Sequence, residues 1–304
     1  MQRRNRQSSV NAEDCFFVFH LKVNMKLTVL GSAASEGVPS LFCNCPVCEH
    51  ARRSPGGPDW RRRTCYLLDE DTLIDFGPDL REQFRLSGVD QRKLRRIVLT
   101  HTHGDHFDMD VLIRRISPTF AVEPQELEFY SAAGAQKIVG GTDGAGFARY
   151  ALAPCPMQPG DERVSGDGSL KIFAVRATHA PETDPLNYVL TRNGKTLLIA
   201  NDTGWWCEES WEQIASYGVP FDCVVIDCHG GLLNPDMCEG KPHLGVNGLL
   251  KFRKKLIELG LMTGKTLCVA NHFSHHGGCI HADLCRFLEP YGVRTGYDGL
   301  RLEF

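Results

Sequence analysis

The sequence lacks a hydrophobic run that could span a lipid bilayer. No stretch approaches the roughly 20 consecutive apolar residues that a transmembrane helix needs. It also lacks an excess of either charge, since 34 Lys and Arg residues against 37 Asp and Glu residues give a net charge of -3. This balance provides no electrostatic basis for broad binding to nucleic acid or to an anionic membrane. We therefore predict that any polyanion is bound only locally.

The sequence also lacks the marks of a secreted disulfide scaffold. Its 13 cysteines are an odd number, and no apolar run of about 7 to 15 residues follows the basic start, as a secretion signal would require. A reducing compartment fits better, and we predict a cytoplasmic protein. The apolar fraction of 42%, with 30 Gly and 16 Pro, indicates a large core rather than a disordered or fibrous chain.

The start of the chain differs from the rest. It combines basic and polar residues with an apolar patch at 15–19, and a second methionine, Met25, opens the first clear strand pattern. The acidic residues Glu13 and Asp14 argue against a targeting leader. We interpret residues 1–24 as an N-terminal extension, from an upstream start codon or an added segment, which need not be ordered. Residues 25–304 are predicted to form the functional domain.

From Met25 onward, short β-branched and aliphatic runs alternate with turn residues and helical stretches. Strands are predicted at 26–30, 65–68, 72–75, 96–100, 126–130, 170–177, 187–191, 196–200, 223–227, 266–270 and 300–304. Helices are predicted at 79–87, 107–116, 207–217, 245–259 and 282–288. Hairpins followed by strand-helix alternation predict mixed sheets covered by helices, in an α/β or α+β layered domain.

The predicted strand at 96–100 runs directly into a cluster of histidine and aspartate. The segment from His101 to His106 reads His-Thr-His-Gly-Asp-His, and its Gly-Asp pair lets the backbone turn sharply so that side chains converge. His101 and His103 are expected to project to one side of a loop, whereas Asp105 and His106 should begin the next helix. Imidazole and carboxylate together suit zinc, manganese or iron. We therefore predict a metal site rather than a solvated histidine-rich loop.

A centre with two metals would need more ligands than this loop supplies. Three further candidates, His179, Asp202 and His272, each follow an apolar strand and precede a turn. Each alone could be an ordinary polar strand end. Their shared context places them together at one edge of the sheets and predicts a common site.

A second cluster consists of three cysteines within a short segment. Cys43, Cys45 and Cys48 lie on a Pro-containing loop after the first strand. Their spacing is that of a structural zinc site that lacks one ligand, which must come from elsewhere in the chain. The alternative is three free thiols, exposed and reactive on a loop. We favour the zinc site.

These motifs resemble those of the metallo-β-lactamase superfamily over essentially all of residues 25–304. The resemblance implies a four-layer αββα sandwich with metals at the edge of two facing sheets. It also implies the ligands: His101, His103 and His179 for one metal, Asp105, His106 and His272 for the other, and Asp202 bridging both. Asp75, within Leu-Ile-Asp-Phe-Gly, matches an aspartate that supports the ligand loop. The bridging aspartate is more similar to dinuclear phosphodiesterases than to lactam-hydrolysing enzymes.

Within the superfamily, the sequence is most similar to the phosphoribosyl 1,2-cyclic phosphate phosphodiesterases of the carbon-phosphorus lyase pathway and their relatives. The matching segments are Leu-Gly-Ser-Ala-Ala-Ser-Glu-Gly-Val-Pro at 30–39, the cysteine cluster, Arg-Arg-Thr-Cys at 62–65 and Gly-Tyr-Asp-Gly at 296–299. This resemblance implies that His275, three residues after His272, is the fourth ligand of the structural zinc.

The same resemblance implies a histidine near the scissile phosphate, and His243 occupies the corresponding place. A positioned imidazole there would donate a proton to the leaving alkoxide. The segment between Asp227 and His243 departs from the family's pattern, because it is rich in Gly and carries its own histidine, His229. His229 therefore remains a rival for this role, less favoured because it lies so near the end of a strand.

The predicted reaction is hydrolysis of a small phosphodiester, cyclic or linear, by a metal-activated hydroxide. His243 and Asp105 are the predicted catalytic residues, and the predicted cofactors are two catalytic Mn or Zn ions and one structural Zn. The predicted partner is the small-molecule diester rather than a membrane or nucleic acid, and homodimer formation is left open. The alternatives are a protein similar to those of pyrroloquinoline quinone biosynthesis, with an oxidative or carrier role, and a non-catalytic metal-binding protein of this fold.

Overall fold

The computed structural model describes residues 24–304. The extension predicted at residues 1–24 therefore lies outside the described residues, except for Asn24. Within the described part of the chain, no helix is both long and apolar enough to cross a membrane.

The described residues form two sheets of seven strands each. In chain order, the strands are β1 (Lys26–Gly31), β2 (Cys65–Leu68), β3 (Thr72–Ile74), β4 (Arg96–Val98), β5 (Leu127–Ala132), β6 (Leu152–Met157), β7 (Glu162–Val164), β8 (Lys171–Arg176), β9 (Leu186–Arg192), β10 (Lys195–Ala200), β11 (Cys223–Asp227), β12 (Leu267–Asn271), β13 (Val293–Thr295) and β14 (Arg301–Glu303). The first sheet has the order β14-β1-β2-β3-β4-β5-β6, and the second has β13-β12-β11-β10-β9-β8-β7.

Helices cover the outer faces of both sheets, except that the first helix packs on Ala33 and Val38 after the first strand. They are α1 (Pro46–Arg53), α2 (Leu80–Ser87), α3 (Met109–Ile113), α4 (Ala133–Gly140), α5 (Ala145–Tyr150), α6 (Glu208–Tyr217), α7 (Val246–Glu258) and α8 (His281–Leu288). Helix α7 illustrates how the helices pack on the sheets. Its buried residues recur at helical spacing and form one apolar stripe, which consists of Val246, Leu249, Phe252 and Leu256.

Alternate side chains of a strand belong to different hydrophobic cores. In β10, Leu197 and Ile199 belong to the core between the two sheets, whereas Leu198 and Ala200 belong to the core under α6 and α7. Successive side chains of a strand point to opposite faces, so each sheet is buried on both sides. A third core lies between the first sheet and helices α2 to α5. The predicted four-layer αββα sandwich is therefore confirmed.

Two local predictions near the ligand segments are wrong. Helix α3 begins at Met109 rather than at residue 107, because the side chain of Asp108 accepts a hydrogen bond from the backbone of Asp110 and caps the helix. Asp105 and His106 therefore lie in the turn before the helix. Cys48 lies on α1 rather than on a loop, since Pro46 opens that helix directly after Cys45.

Candidate metal centre

The predicted ligands come together because their strands end at the same edge of the molecule. β3 and β4 are parallel, as are β10, β11 and β12, and the chain leaves each sheet at the carboxyl ends of these strands. His101 to His106 follow β4, His179 follows β8, Asp202 follows β10 and His272 follows β12. The ligand segments thus meet where the two sheets face each other.

Three residues of this edge have left-handed backbone conformations. The φ angles are +63° for Asp75, +48° for Asp202 and +65° for His272, each at or just beyond the end of a strand. A side chain other than glycine adopts this conformation at a cost of about 1–3 kcal/mol. These unfavourable conformations lie at residues that supply or support the predicted ligands, and not within the regular strands.

The first ligand group consists of His101, His103 and His179. Nε2 of His179 lies 3.1 Å from Nδ1 of His103, and the ring centroids of His101 and His179 are 5.3 Å apart. The three offer ligand nitrogens that all lie within 4.8 Å of one another. One ion can therefore contact all three side chains.

The second group surrounds Asp202. Its Oδ2 lies 2.8 Å from Nε2 of His106, and its Oδ1 lies 3.0 Å from Nε2 of His272. Oδ2 of Asp105 is 3.1 Å from the same His106 nitrogen. Oδ1 of Asp202 is also 3.7 Å from Nε2 of His179 in the first group. Asp202 thus stands between the two groups, which is the position a bridging ligand needs.

Several of these atoms are buried and make no well-directed hydrogen bond. Nε2 of His101, Nε2 of His106 and Oδ2 of Asp202 have no hydrogen-bond partner of acceptable geometry among residues 24–304. A buried polar atom left unpaired is unfavourable by about 1–3 kcal/mol, and a cluster of such atoms calls for a ligand. Nitrogen and carboxylate donors of this kind suit zinc, manganese or iron. The residues present therefore fit divalent metal ions.

The charges at the site are mutually dependent. Burial alone would raise the pKa of Asp202, but His272 and His106 hold it well below its usual range. Burial would lower the pKa of His106, but Asp105, Asp202 and Asp75 outweigh it and raise that pKa. The pKa of His101 is lowered, mainly by burial and by the charge of His106. The carboxylate of Asp202 is therefore ionised, as a metal ligand must be.

Hydrogen bonds behind the ligands fix their orientation. Oδ2 of Asp75, which is fully buried, lies 2.7 Å from Nδ1 of His106, and its Oδ1 accepts the Thr100 backbone N–H at 2.8 Å. Oγ1 of Thr100 lies 3.1 Å from Nδ1 of His101, and Oγ1 of Thr64 lies 3.0 Å from Nδ1 of His272. Each contact engages Nδ1 and leaves Nε2 for the metal centre. Asp75 thus lies where it was predicted, whereas the two threonines were not predicted.

His243 lies beside the metal centre and is held by Asp227. Its Nδ1 is 3.0 Å from Oδ2 of Asp227 and 3.9 Å from Oδ1 of Asp202. Burial alone would lower the pKa of His243, but Asp227 and Asp202 raise it to about 9. Oδ1 of Asp227 also accepts the backbone N–H groups of His229 and Leu244, at 3.1 and 2.9 Å. Asp227 was not predicted, although an aspartate ending a buried strand two positions before His229 is a visible signal.

The cysteine cluster also gathers around its predicted fourth ligand. Sγ of Cys43 and Sγ of Cys45 both lie 3.4 Å from Nδ1 of His275, and Cys48 completes a group whose ligand atoms lie within 4.8 Å of one another. All three cysteines are free thiols. Burial would raise the pKa of Cys45, but the backbone N–H of Cys48 and the His275 ring lower it to about 6. A Cys₃His set of this kind fits tetrahedral zinc.

One loop connects the two clusters. His272 and His275 are separated by Phe273 and Ser274, and Phe273 is hydrogen-bonded through its backbone to Ser32, at 2.9 Å, and to Ala34, at 3.0 Å. The loop after β12 is therefore fastened to the segment that precedes the cysteines. His272 and His275 therefore lie on the same short, hydrogen-bonded loop.

Comparisons with known proteins place this geometry in a family context. The chain is 42% identical to an octanoyltransferase of Porphyromonas gingivalis over 86 residues, which are 27% of this chain and only 16% of that protein. It is 26% identical to the coenzyme PQQ synthesis protein B of Azoarcus over 243 residues, covering 67% of this chain and 72% of that protein. The chain thus spans only a small part of the octanoyltransferase, but most of the second relative.

A solved structure agrees with the sandwich. The crystal structure of a diphosphatase from the PhnP family has a TM-score of 0.68 and 24% identity, and the match covers 93% of this chain and 98% of that one. This likeness shows that the fold is shared. A family model described as the beta-lactamase superfamily domain matches residues 71–263. Because that match includes well over half of the chain, the protein belongs to the metallo-β-lactamase superfamily.

Proposed function

We propose that this protein hydrolyses a small phosphodiester, with a cyclic diester as the preferred class, at a centre of two divalent metal ions. The observation that supports this most is the combination of a complete dinuclear ligand set with a positioned imidazole. The ring of His243 lies 4.5 Å from the ring of the ligand His179, so a phosphate bound at the centre would reach it. Similarity to a diphosphatase of the same fold supports hydrolysis of a bond to phosphorus.

Seven side chains would hold the two ions, either manganese or zinc. They are His101, His103 and His179 for one ion, Asp105, His106 and His272 for the other, and Asp202 for both. Ions bound there would supply an activated water molecule and would draw negative charge away from the phosphate. Asp105 and Asp202 are buried, and their fixed carboxylates would set the position of the attacking oxygen relative to phosphorus.

His243 would complete the reaction on the opposite side of phosphorus. As the new P–O bond forms, the bond to the leaving oxygen breaks, and that oxygen needs a proton. Nδ1–H of His243 donates to Asp227, so the proton available for transfer is on Nε2. The carboxylate of Asp227 favours the protonated form of this ring, which a general acid needs. Asp227 would keep the ring in this orientation throughout.

Asp75 would act through the orientation of His106. We expect Asp75→Ala to lower metal affinity or activity by about 10- to 100-fold, as for other groups that support a metal ligand. Asp75→Asn is the matched variant: asparagine also tolerates a positive φ and retains an acceptor for the Thr100 backbone N–H. Its amide N–H₂ would replace the acceptor at Nδ1 of His106, so metal affinity should fall here too. Competition with a chromophoric chelator measures the affinity. Unchanged affinity in the alanine variant would contradict the role.

We propose further that Cys43, Cys45, Cys48 and His275 bind a structural zinc. Four ligands leave no open coordination position, so this ion would hold the cysteine segment against the loop of His272 and would not activate water. Oε1 of Glu36 lies 3.7 Å from Nε2 of His275, on the side of the ring opposite the thiols. Nδ1 of the same ring is the nitrogen that faces the sulfur atoms.

We expect Cys45→Ser to remove one zinc per chain while both catalytic ions remain. Loss of this connection should lower the melting temperature, by about 2–4 °C for each kcal/mol of lost stability in domains of comparable size. Activity should fall only indirectly. Elemental analysis and thermal unfolding provide the measurements, and Cys207→Ser, at an exposed thiol, is the matched control. A full zinc count in Cys45→Ser would show that no zinc depends on these ligands.

The proposed activity is tested directly with purified protein. Metal-free protein is supplied in turn with manganese, nickel, zinc and iron, and a panel of cyclic and linear phosphodiesters, including bis(p-nitrophenyl) phosphate, is screened at each metal. We expect turnover of at least one diester, dependent on added metal. Protein that binds two ions per chain at this centre and cleaves no diester would refute the proposal.

A second candidate function follows from the similarity to the PQQ synthesis protein. If this chain acts similarly, it would have an oxidative role with iron or a carrier role, and phosphodiester turnover with manganese would be absent. A metal-binding protein without catalysis would give the same negative result, but also no oxidation in the presence of iron and oxygen. The presence of all seven ligands favours an enzyme over this last possibility.

A further inference from the structure

We infer that Arg61 is a positioning residue for the loop that carries His272 and His275, and so for two of the three proposed ions. This inference rests on the metal sites of the proposed function and adds a residue that belongs to neither ligand set. Only 4% of Arg61 is exposed, and its guanidinium carbon lies 4.4 Å from the ring centroid of Phe273. Phe273 directly follows His272 and stands two residues before His275. The guanidinium therefore contacts the loop between the two ligands.

The charge of Arg61 is buried and depends on neutral groups. Within residues 24–304 no carboxylate pairs with it, and burial lowers its pKa. Its Nη1 donates to the Gly296 carbonyl at 2.9 Å and to Oγ of Ser32 at 3.2 Å, and its Nη2 lies 3.4 Å from Nδ1 of His281. A buried charge is unfavourable unless polar groups surround it, and the face of an aromatic ring also attracts a cation. The ring of Phe273 is therefore among the groups that hold this charge, and the charge in turn holds the ring.

His272 needs support of this kind because its backbone conformation is unfavourable. Its φ angle is +65°, and such a conformation persists only where surrounding contacts determine it. Phe273 supplies some of these contacts, since its N–H donates to the Ser32 carbonyl at 2.9 Å and its carbonyl accepts the Ala34 N–H at 3.0 Å. Arg61 contacts the side chains of both Phe273 and Ser32. The guanidinium thus fixes the two segments relative to each other.

The segment that carries Arg61 contacts the same loop at a second point. Three residues later, Oγ1 of Thr64 lies 3.0 Å from Nδ1 of His272. The backbone of Arg61 exchanges two hydrogen bonds with that of Val38, at 2.7 and 2.9 Å. Val38 packs in one cluster with Val47 of α1, the helix that includes Cys48. Arg61 is therefore anchored beside the cysteine segment and reaches the loop of the remaining zinc ligand.

This placement predicts which ions depend on Arg61. The two ions with a ligand next to Phe273 are the structural zinc, through His275, and one catalytic ion, through His272. The other catalytic ion is held by His101, His103 and His179, none of which lies on this loop. A general loss of folding stability does not select among the sites of the folded protein in this way. The pattern therefore distinguishes positioning of the ligands from stabilisation of the fold.

The test compares Arg61→Met and Arg61→Lys in the full chain. Methionine is long and uncharged, whereas lysine keeps the charge without the planar fork that reaches several acceptors. Competition with a chromophoric chelator, well below the unfolding midpoint, gives the dissociation constants. We expect Arg61→Met to raise the constant of the structural zinc and one of the two catalytic constants by about 10- to 100-fold, as for other groups that support a metal ligand. The second catalytic constant should change least, and Arg61→Lys should lie between Arg61→Met and the wild type.

Arg96→Met is the matched control, because Arg96 is also a buried arginine, with 1% exposure. It lies at the start of β4, at the opposite end of that strand from His101, and pairs with Asp71. This variant should lower the melting temperature and leave the three dissociation constants of the folded protein unchanged. In cobalt-loaded protein, the absorption that arises from thiolate-cobalt bonds should change in Arg61→Met and not in Arg96→Met.

The other outcomes are decisive. Unchanged constants in Arg61→Met, equal rises at all three sites, the same rises in Arg96→Met, or a lysine variant no better than the methionine variant would overturn the inference. If Arg61→Met does not fold, Arg61→Lys decides alone, and unchanged constants there would overturn the inference. If the wild-type protein does not bind three ions per chain, the proposed metal sites fail and the inference fails with them. If it binds three ions and cleaves no diester, the proposed reaction fails, whereas the role of Arg61 is still decided by the dissociation constants.

Discussion

Asp202→Ala is expected to abolish turnover and to lower the content of catalytic metal. Its carboxylate reaches His106 and His272 on one side and His179 on the other, so its loss weakens both ion sites at once. Metal ions contribute several kcal/mol of transition-state stabilisation, which corresponds to a loss of about 10³-fold or more in rate. The measurements are kcat with saturating metal and the number of ions per chain.

Two further variants make this result specific. Asp202→Asn keeps the size and the positive φ of the native residue but removes the charge and one of its two acceptor oxygens, so it should lose metal as well. Asp90→Ala removes an exposed carboxylate that pairs with Arg92 before β4, at the opposite end of that strand from His101, and should leave metal content unchanged. An Asp202→Ala protein that keeps two ions per chain would rule out the bridging role.

His243→Ala is expected to slow hydrolysis while both catalytic ions stay bound. A general acid contributes about 10²- to 10⁴-fold, and the loss should be smaller for a good leaving group such as p-nitrophenolate, which leaves without a proton. The experiment compares kcat for alkyl and p-nitrophenyl diesters in the same metal.

Asp227→Asn tests how His243 is held. Asparagine has one acceptor oxygen where Asp227 uses two, one for the His243 ring and one for backbone N–H groups, and it lacks the charge that favours the protonated ring. We therefore expect a loss no larger than that of His243→Ala, with the same dependence on the leaving group. If His243→Ala slows good and poor leaving groups equally, the imidazole positions the phosphate and does not act as an acid.

The sandwich and the ligand loops could be predicted because the sequence patterns that indicate them lie within a few neighbouring residues. Each ligand segment follows an apolar strand within a few residues, and β10 and β11 were predicted almost to the residue. The strands β6, β7 and β13 were not predicted, and physical reasons explain the first two. β6 contains Pro154 and Pro156, which are tolerated because β6 is an edge strand, and β7 is short and exposed on all three residues.

The supporting groups could not be predicted in the same way. Thr64 contacts His272 across 208 positions of sequence, and a threonine beside a strand carries no signal of such a contact. Asp227 could have been suspected, but its distance to His243 depends on how the Gly-rich segment folds back. That segment is held by contacts such as Gly230 with Leu244, at 2.9 Å, which only the folded chain reveals.

The residues with left-handed backbone conformations at the sheet edge connect the stability of the protein to its metal content. Asp75, Asp202 and His272 hold unfavourable backbone angles, so part of the folding free energy is used to preorganise the centre. An ion that binds only the folded chain returns stability in proportion to its concentration over its dissociation constant. Removal of the ions by a chelator should therefore lower the midpoint temperature of unfolding. Substitutions in the distant hydrophobic cores that weaken folding should lower the ion occupancy of the centre when metal is scarce.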